Sequence, residues 1–300
     1  MSVTIERIRW QGWQDCYLIS NERVEMLVVA DVGPRILKFN LVGQDSLLKL
    51  YDEQLGQTQG DTFRIYGGHR LWHAPENQKR TYYPDNRPVE VARHDNIIQF
   101  NALVEDSTRI QKSIQIEMHP TEPRATVRHS LTNHNLWAVT FAPWALTVMR
   151  SGGVAILPLP ERGSHPEDLL PSSSLALWPY TNLADPRWTW GTRYILLRQA
   201  DAPPQKIGAY NPAGWLAYAW EDTLFVKQFD VTSGDFPDFG SNVEMFTDSD
   251  MLEIESLGPL QTVQPGTTVT HTEIWSLHAD VPQIQNEQDV TLHVMPCIQA

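Results

Sequence analysis

The chain has 300 residues, 41% of them hydrophobic, 10% aromatic and 20% charged. That balance supports a packed core and excludes a disordered chain. Its formal net charge of −13 repels phosphate backbones and anionic lipid, so neither nucleic acid nor a membrane is an expected partner. The length stays within the range of one large β domain, and a single domain over 1–300 is expected. The opening residues carry no basic segment followed by an apolar one, and nowhere do ~18 apolar residues run together. The two cysteines, Cys16 and Cys297, cannot make the dense disulfide framework of a small secreted domain, so a reducing cytoplasm is the expected location.

Taken in chain order, the hydrophobic pattern predicts short extended runs at 4–10, 24–29, 97–104, 110–118, 125–131, 214–220, 223–229, 251–255 and 267–277. The period is two in the clearest of them: Ile114, Ile116 and Met118 alternate with Gln115 and Glu117, which suits a sheet with one packed face. Turn residues punctuate the runs. Thr132-Asn133-His134-Asn135 separates one pair, and Trp220-Glu221-Asp222-Thr223 reads as a hairpin, so neighbouring strands are expected to be antiparallel. Prolines gather in connections such as 157–171 and 202–204, where a missing N–H harms no ladder. The stretch 151–190 reads as the longest irregular segment. So many strands need at least two sheets, an all-β, antiparallel sandwich.

Two places concentrate polar chemistry. Tyr66 to Glu76 holds His69, Arg70, Trp72, His73 and Glu76 behind the paired glycines Gly67 and Gly68. Glycines there permit positive φ or close backbone approach, and so many charges predict a rim or cleft. In the run 251–255, alternation puts Glu253 and Glu255 on one face and Leu252 and Ile254 on the other. Paired carboxylates repel, which raises one pKa toward the range of a general base, unless solvent or an arginine relieves them. A solvated polar face is the plain alternative. His69 and His73 suit a shared metal only on a helix; in an extended segment their Cα atoms stand ~13 Å apart, so no metal is expected. Trp72 reads as a flat platform for a ligand, Trp144 more readily as core. Arg35 and Arg193 can pair with carboxylates such as Glu244 or Glu255, or touch a ligand. No Gly-x-Gly-x-x-Gly, Walker-type loop, Cys-x-x-Cys or Gly-x-Ser-x-Gly occurs, so no nucleotide cofactor, structural zinc or serine nucleophile is expected.

Residues 67–76 (Gly-Gly-His-Arg-Leu-Trp-His-Ala-Pro-Glu) and 252–259 (Leu-Glu-Ile-Glu-Ser-Leu-Gly-Pro) resemble two motifs of an uncharacterised group within the galactose mutarotase-like superfamily. Gly33-Pro34-Arg35-Ile36 and the stretch from Pro265-Gly266 to Trp275 are similar to the early and closing strands of aldose epimerases. The resemblance spans nearly the whole chain. It implies a large antiparallel β supersandwich with a shallow sugar site on the larger sheet. It further implies an aldose or sugar-phosphate 1-epimerase that needs no cofactor, with Glu253 as base. A histidine, His73 or His69, is then the acid that protonates the ring oxygen. Arg70, Trp72, Glu76, Glu255, Arg35 and Trp144 are the implied substrate contacts, with a small-molecule carbohydrate as partner. The chain departs from the pattern at Trp144, which stands roughly where aldose epimerases carry a histidine. An indole cannot exchange a proton with a ring oxygen. A non-catalytic sugar-binding protein and a saccharide lyase or hydrolase therefore stand as alternatives.

Overall fold

The computed structural model describes residues 2–299. Backbone hydrogen bonds pair its strands into an 11-stranded and a 10-stranded sheet. Across the larger sheet the order begins β1 (Thr4–Trp10), β2 (Trp13–Ser20), β3 (Val24–Val29), β4 (Arg35–Leu41), β5 (His69–Ala74). It continues β10 (Val139–Met149), β19 (Leu252–Leu257), β18 (Val243–Thr247), β15 (Gln205–Ala209), β12 (Leu175–Leu177). β20 (Gln261–Val263) pairs with the first residues of β10. The smaller sheet begins β13 (Trp188–Trp190), β14 (Tyr194–Arg198), β11 (Val154–Pro158), β16 (Trp215–Trp220), β17 (Thr223–Phe229). It ends β21 (Thr268–His278), β9 (Arg124–Asn133), β8 (Ile110–Met118), β7 (Ile97–Asn101), β6 (Glu90–His94).

The main core lies between the sheets. Phe39, Leu71 and Ile254 of the larger sheet meet Ile114, Leu216 and Trp275 of the smaller one, each large side chain contributing about 1.5–3 kcal/mol by leaving water. Along β8, Ile114, Ile116 and Met118 are buried while Glu117 is exposed, as the period-two pattern requires. All nine expected runs fall on strands, and Trp220 pairs with Thr223 in the expected hairpin, with Glu221 in the left-handed region at φ 52°.

Two expectations are corrected, and one element was not anticipated. The 132–135 turn joins no antiparallel pair: β9 and β10 lie in different sheets, so the chain crosses between layers there, and Asn133 anchors the crossing through bonds from Nδ2 to the carbonyls of Trp137 and Val263. The stretch 151–190 is not one irregular segment, since it contains β11, β12 and β13. The chain also ends in a helical run over 287–299, wound as a π-helix at Val290–Val294. Its sequence signal was the capping box of Asn286 with Asp289 ahead of apolar residues at a spacing of four, Val290 and Val294. Both valines pack on the outer face of the smaller sheet against Ile156, Leu196 and Val226. Among the described residues, no helix is long and apolar enough to cross a membrane.

Candidate functional site

Register brings the two polar stretches together. Residues directly opposite on antiparallel strands share a face, and Arg70 of β5 lies opposite Leu146, which lies opposite Glu255, which lies opposite Glu244. One row away Glu253, Phe246 and Lys206 are aligned across β19, β18 and β15, and Trp72 faces Trp144 on the other side. Their neighbours Leu71, Leu252 and Ile254 belong to the core between the sheets, so these rows stand on the outer face. The two glycines make the approach to β5 possible. A Cβ at Gly68 would lie 2.1 Å from the Ile36 carbonyl and one at Gly67 2.1 Å from that of Lys49, and both have positive φ.

The rows floor a cleft whose deep part holds about 190 Å³ between Arg70, Trp72, Trp144, Tyr180, Lys206 and Glu253. Past Glu76, Tyr82 and Trp144 it opens into an outer part of about 630 Å³. Arg70 Nη1 donates to Glu253 Oε1 at 2.6 Å, with both side chains almost wholly buried, and its guanidinium carbon sits 4.2 Å from the Trp72 ring centroid. Lys206 Nζ lies 2.6 Å from Glu244 Oε2 and 3.2 Å from Glu255 Oε2, between the rings of Trp144 and Trp178 at 4.7 and 4.8 Å. The Trp144 indole donates to Glu255 Oε2 at 2.8 Å. Burial works against the charge on Lys206, but the two carboxylates outweigh it and hold the ammonium above its ordinary range. Burial pushes Glu244 well above the usual carboxylate range, with Glu255 adding repulsion. Arg70 Nε, Trp72 Nε1 and Glu255 Oε1 have no hydrogen-bond partner among the described residues, which leaves donors and an acceptor beside the cleft.

Of the residues singled out from sequence, Glu253, Glu255, Arg70, Trp72, Trp144 and Glu76 line this one cleft, Glu76 accepting from the Tyr82 hydroxyl at 2.5 Å. His69, His73 and Arg35 are not among its lining residues. His69 and His73 alternate with Arg70 and Trp72, so they point between the sheets, where a one-residue offset on a strand always leads. His73 is buried with both ring nitrogens unpartnered, and burial, helped by Lys112 and Arg80, pushes it down to about 3. Arg35 is buried beneath the Tyr66 ring, 5.2 Å from its centroid, and donates to the Ile65 carbonyl. Burial lowers it to about 10. It pairs with neither Glu244 nor Glu255, and Arg193 sits over Tyr194 instead. The countercharge to both carboxylates is Lys206.

His69 belongs to an internal polar network. Its Nε2 lies 2.7 Å from His129 Nε2 and its Nδ1 2.8 Å from the Thr147 hydroxyl. Glu273 accepts from Ser256 at 2.5 Å and Trp275 at 2.8 Å and lies 3.0 Å from Lys227 Nζ. His69, His129 and Glu273 bring possible metal-ligand atoms within 4.8 Å. Two imidazole nitrogens at 2.7 Å share a proton, however, and an ammonium already neutralises the carboxylate, so the group reads as a hydrogen-bonded network joining the sheets. Although burial opposes it, Lys227 and the imidazoles hold Glu273 well below the usual carboxylate range, while burial lowers His69, His129 and His271.

Sequence reasoning missed Lys206, Tyr82 and Tyr180. The signal for Lys206 was a lone charge in the short run Gln-Lys-Ile-Gly-Ala, residues 205–209. The tyrosines sit on connections and left no periodic trace.

A double-layered antiparallel β sandwich with a charged, aromatic-walled cleft on the outside of its larger sheet is thus the class of protein described. The fold is the galactose mutarotase-like one. It is similar to a candidate aldose 1-epimerase from Escherichia coli K12 at 12% identity over 88% of this chain and 99% of that one, with a TM-score of 0.55. It is similar to a candidate mutarotase from Salmonella typhimurium at 12% identity over 93% and 94%, with a TM-score of 0.58. A galactose mutarotase-like protein from Lactobacillus casei ATCC 334 is similar at 9% identity over 88% and 100%, with a TM-score of 0.55. No protein-family model matches the chain, and no curated protein matches it.

Proposed function

We propose that the chain is a carbohydrate-binding protein whose cleft takes a neutral sugar ring. The observation that carries this reading is the convergence of Arg70, Glu253, Glu255, Trp72 and Trp144, from distant parts of the chain, on one cleft. Aromatic walls suit the C–H faces of a sugar, and fixed carboxylates and cations suit its hydroxyls. The cleft lining carries Glu76, Asp238, Glu253 and Glu255 against only Arg70 and Lys206, and both cations already hold a carboxylate at 2.6 Å. That charge balance favours a neutral sugar over a sugar phosphate or a uronate.

Glu244, the raised carboxyl, is not among the residues lining the cleft, and the proton donors that do line it favour binding over ring opening. An effective acid has a pKa near the working pH. Burial raises Tyr180 to about 12, Tyr82 is raised by burial and by its bond to Glu76, and no histidine is among the residues lining the cleft. One-epimerisation with Glu253 as base is the second reading. It is favoured by the similar structures, described as a candidate aldose 1-epimerase and a candidate mutarotase, and by the way Arg70 fixes Glu253 through one oxygen. Calorimetry over neutral monosaccharides, paired with proton NMR of anomer exchange, decides between them. Saturable binding with exchange no faster than in buffer is the expected result. Accelerated exchange that Glu253→Gln abolishes establishes the epimerase instead, and absence of binding refutes both.

A further inference from the structure

The outer part of the cleft is larger than the deep part, at about 630 against 190 Å³, and the ring-sized deep part does not use it. Its wall holds Tyr82, Trp144 and Trp178 with the polar side chains of Asn77, Gln78 and Asp238. Beside it a further hollow of about 150 Å³ is lined by Leu177, Trp178, Pro179 and Phe239 and shares Trp178 and Asp238 with the outer part. Phe239 is 91% exposed. Asp238 and Phe239 both hold left-handed backbone, at φ 52° and 61°, a conformation that bulky side chains avoid. Ser241 maintains the turn, its hydroxyl donating to the Asp238 carbonyl at 2.8 Å and its amide to that of Pro237 at 2.9 Å. Left-handed backbone is ordinary for an aspartate but uncommon for a phenylalanine, and here it displays the Phe239 ring to solvent in the hollow beside the cleft.

We infer that the cleft takes a glycan of at least two sugar units: one ring in the deep part, and a second in the outer part, extending from Trp178 toward the adjoining hollow that Trp178 and Phe239 line together. This rests on the carbohydrate reading above. The aromatic faces of Trp178 and Phe239 suit a pyranose ring, while Asn77, Gln78 and Asp238 suit its hydroxyls; a monosaccharide in the deep part would leave all of these unused. Trp178 links the two positions, because its ring also lies 4.8 Å from Lys206 Nζ.

The test is calorimetry with glucose, galactose, mannose and N-acetylglucosamine against maltose, cellobiose, lactose, mannobiose and chitobiose. For the sugar bound best, the disaccharide should bind about tenfold or more tightly than its monosaccharide, and Phe239→Ala should bring that ratio toward one; so exposed a side chain can be removed without disturbing the fold. Equal affinity for monosaccharide and disaccharide overturns the second position and leaves the carbohydrate reading standing. A gain from a p-nitrophenyl glycoside with none from the disaccharide overturns it as well, since an apolar aglycone is then the guest. No binding by any member overturns both.

Discussion

Replacing Lys206 with methionine tests the electrostatics of the cleft. The ammonium is almost wholly buried between Glu244 and Glu255, which stand directly opposite each other on β18 and β19. Without it the carboxylate pair must take up one more proton on folding than before. Against an ordinary glutamate value of about 4.3, that costs about 3.7 kcal/mol at pH 7, at about 1.36 kcal/mol per unit. The result agrees with the range of about 3–5 kcal/mol for breaking a buried pair. Methionine keeps the stem and a sulfur contact between Trp144 and Trp178, which returns about 0.3–1.5 kcal/mol. Urea denaturation should therefore show Lys206→Met less stable by about 3 kcal/mol at pH 7. The sign of the pH dependence follows from the extra proton. The folded variant binds more protons than its unfolded chain, so its stability falls as pH rises above the unfolded value. Its deficit should shrink by about 1.4 kcal/mol per unit between pH 7 and 5. A deficit below about 1 kcal/mol at pH 7, or one that does not change with pH, would refute this account of the site.

Two further substitutions probe how β5 is placed. His73→Leu should stabilise the protein by about 1–2 kcal/mol at pH 7, because it removes a buried imidazole with no partner. The folded imidazole is depressed to about 3 while the unfolded one takes a proton near 6.5, so its contribution is lost as pH falls below about 6.5. The advantage of the leucine should therefore grow by about 1.4 kcal/mol per unit on acidification; urea melts at pH 7 and 5 measure it, and a destabilised variant counts against the assignment of His73 to the interior. Gly68→Ala should cost about 3 kcal/mol or more in the same assay, since its Cβ meets the Ile36 carbonyl at 2.1 Å on a backbone with φ 66°. A variant as stable as the parent would show that the lead-in to β5 yields.

Most of the architecture was legible because strand periodicity is local. Ile114, Ile116 and Met118 announce one buried face without any knowledge of their partners, and Glu253 and Glu255 announce a polar face in the same way. What the alternation could not reveal is which side of a central strand is sealed by the second sheet. Both faces of β5 are buried, so His69 and His73 looked as available as Arg70 and Trp72, and only pairing across β4 and β10 decides which pair meets the cleft. Lys206 escaped notice because its meaning lies in two carboxylates, Glu244 and Glu255, far along the chain from it. The inward polar residues of β21, His271 and Glu273, are buried in strict alternation with more accessible neighbours, yet their bonding to His129 and Ser256 is wholly non-local.

Because Glu253 and Glu255 alternate with Leu252 and Ile254, the register of β19 couples assembly of the sheet to assembly of the cleft. Slipping that strand by one residue against β10 would drive two carboxylates into hydrocarbon and turn two aliphatic side chains toward water. The same charges that equip the cleft thus discriminate against misaligned sheets while the chain folds, and neutralising both should weaken that selection along with ligand recognition.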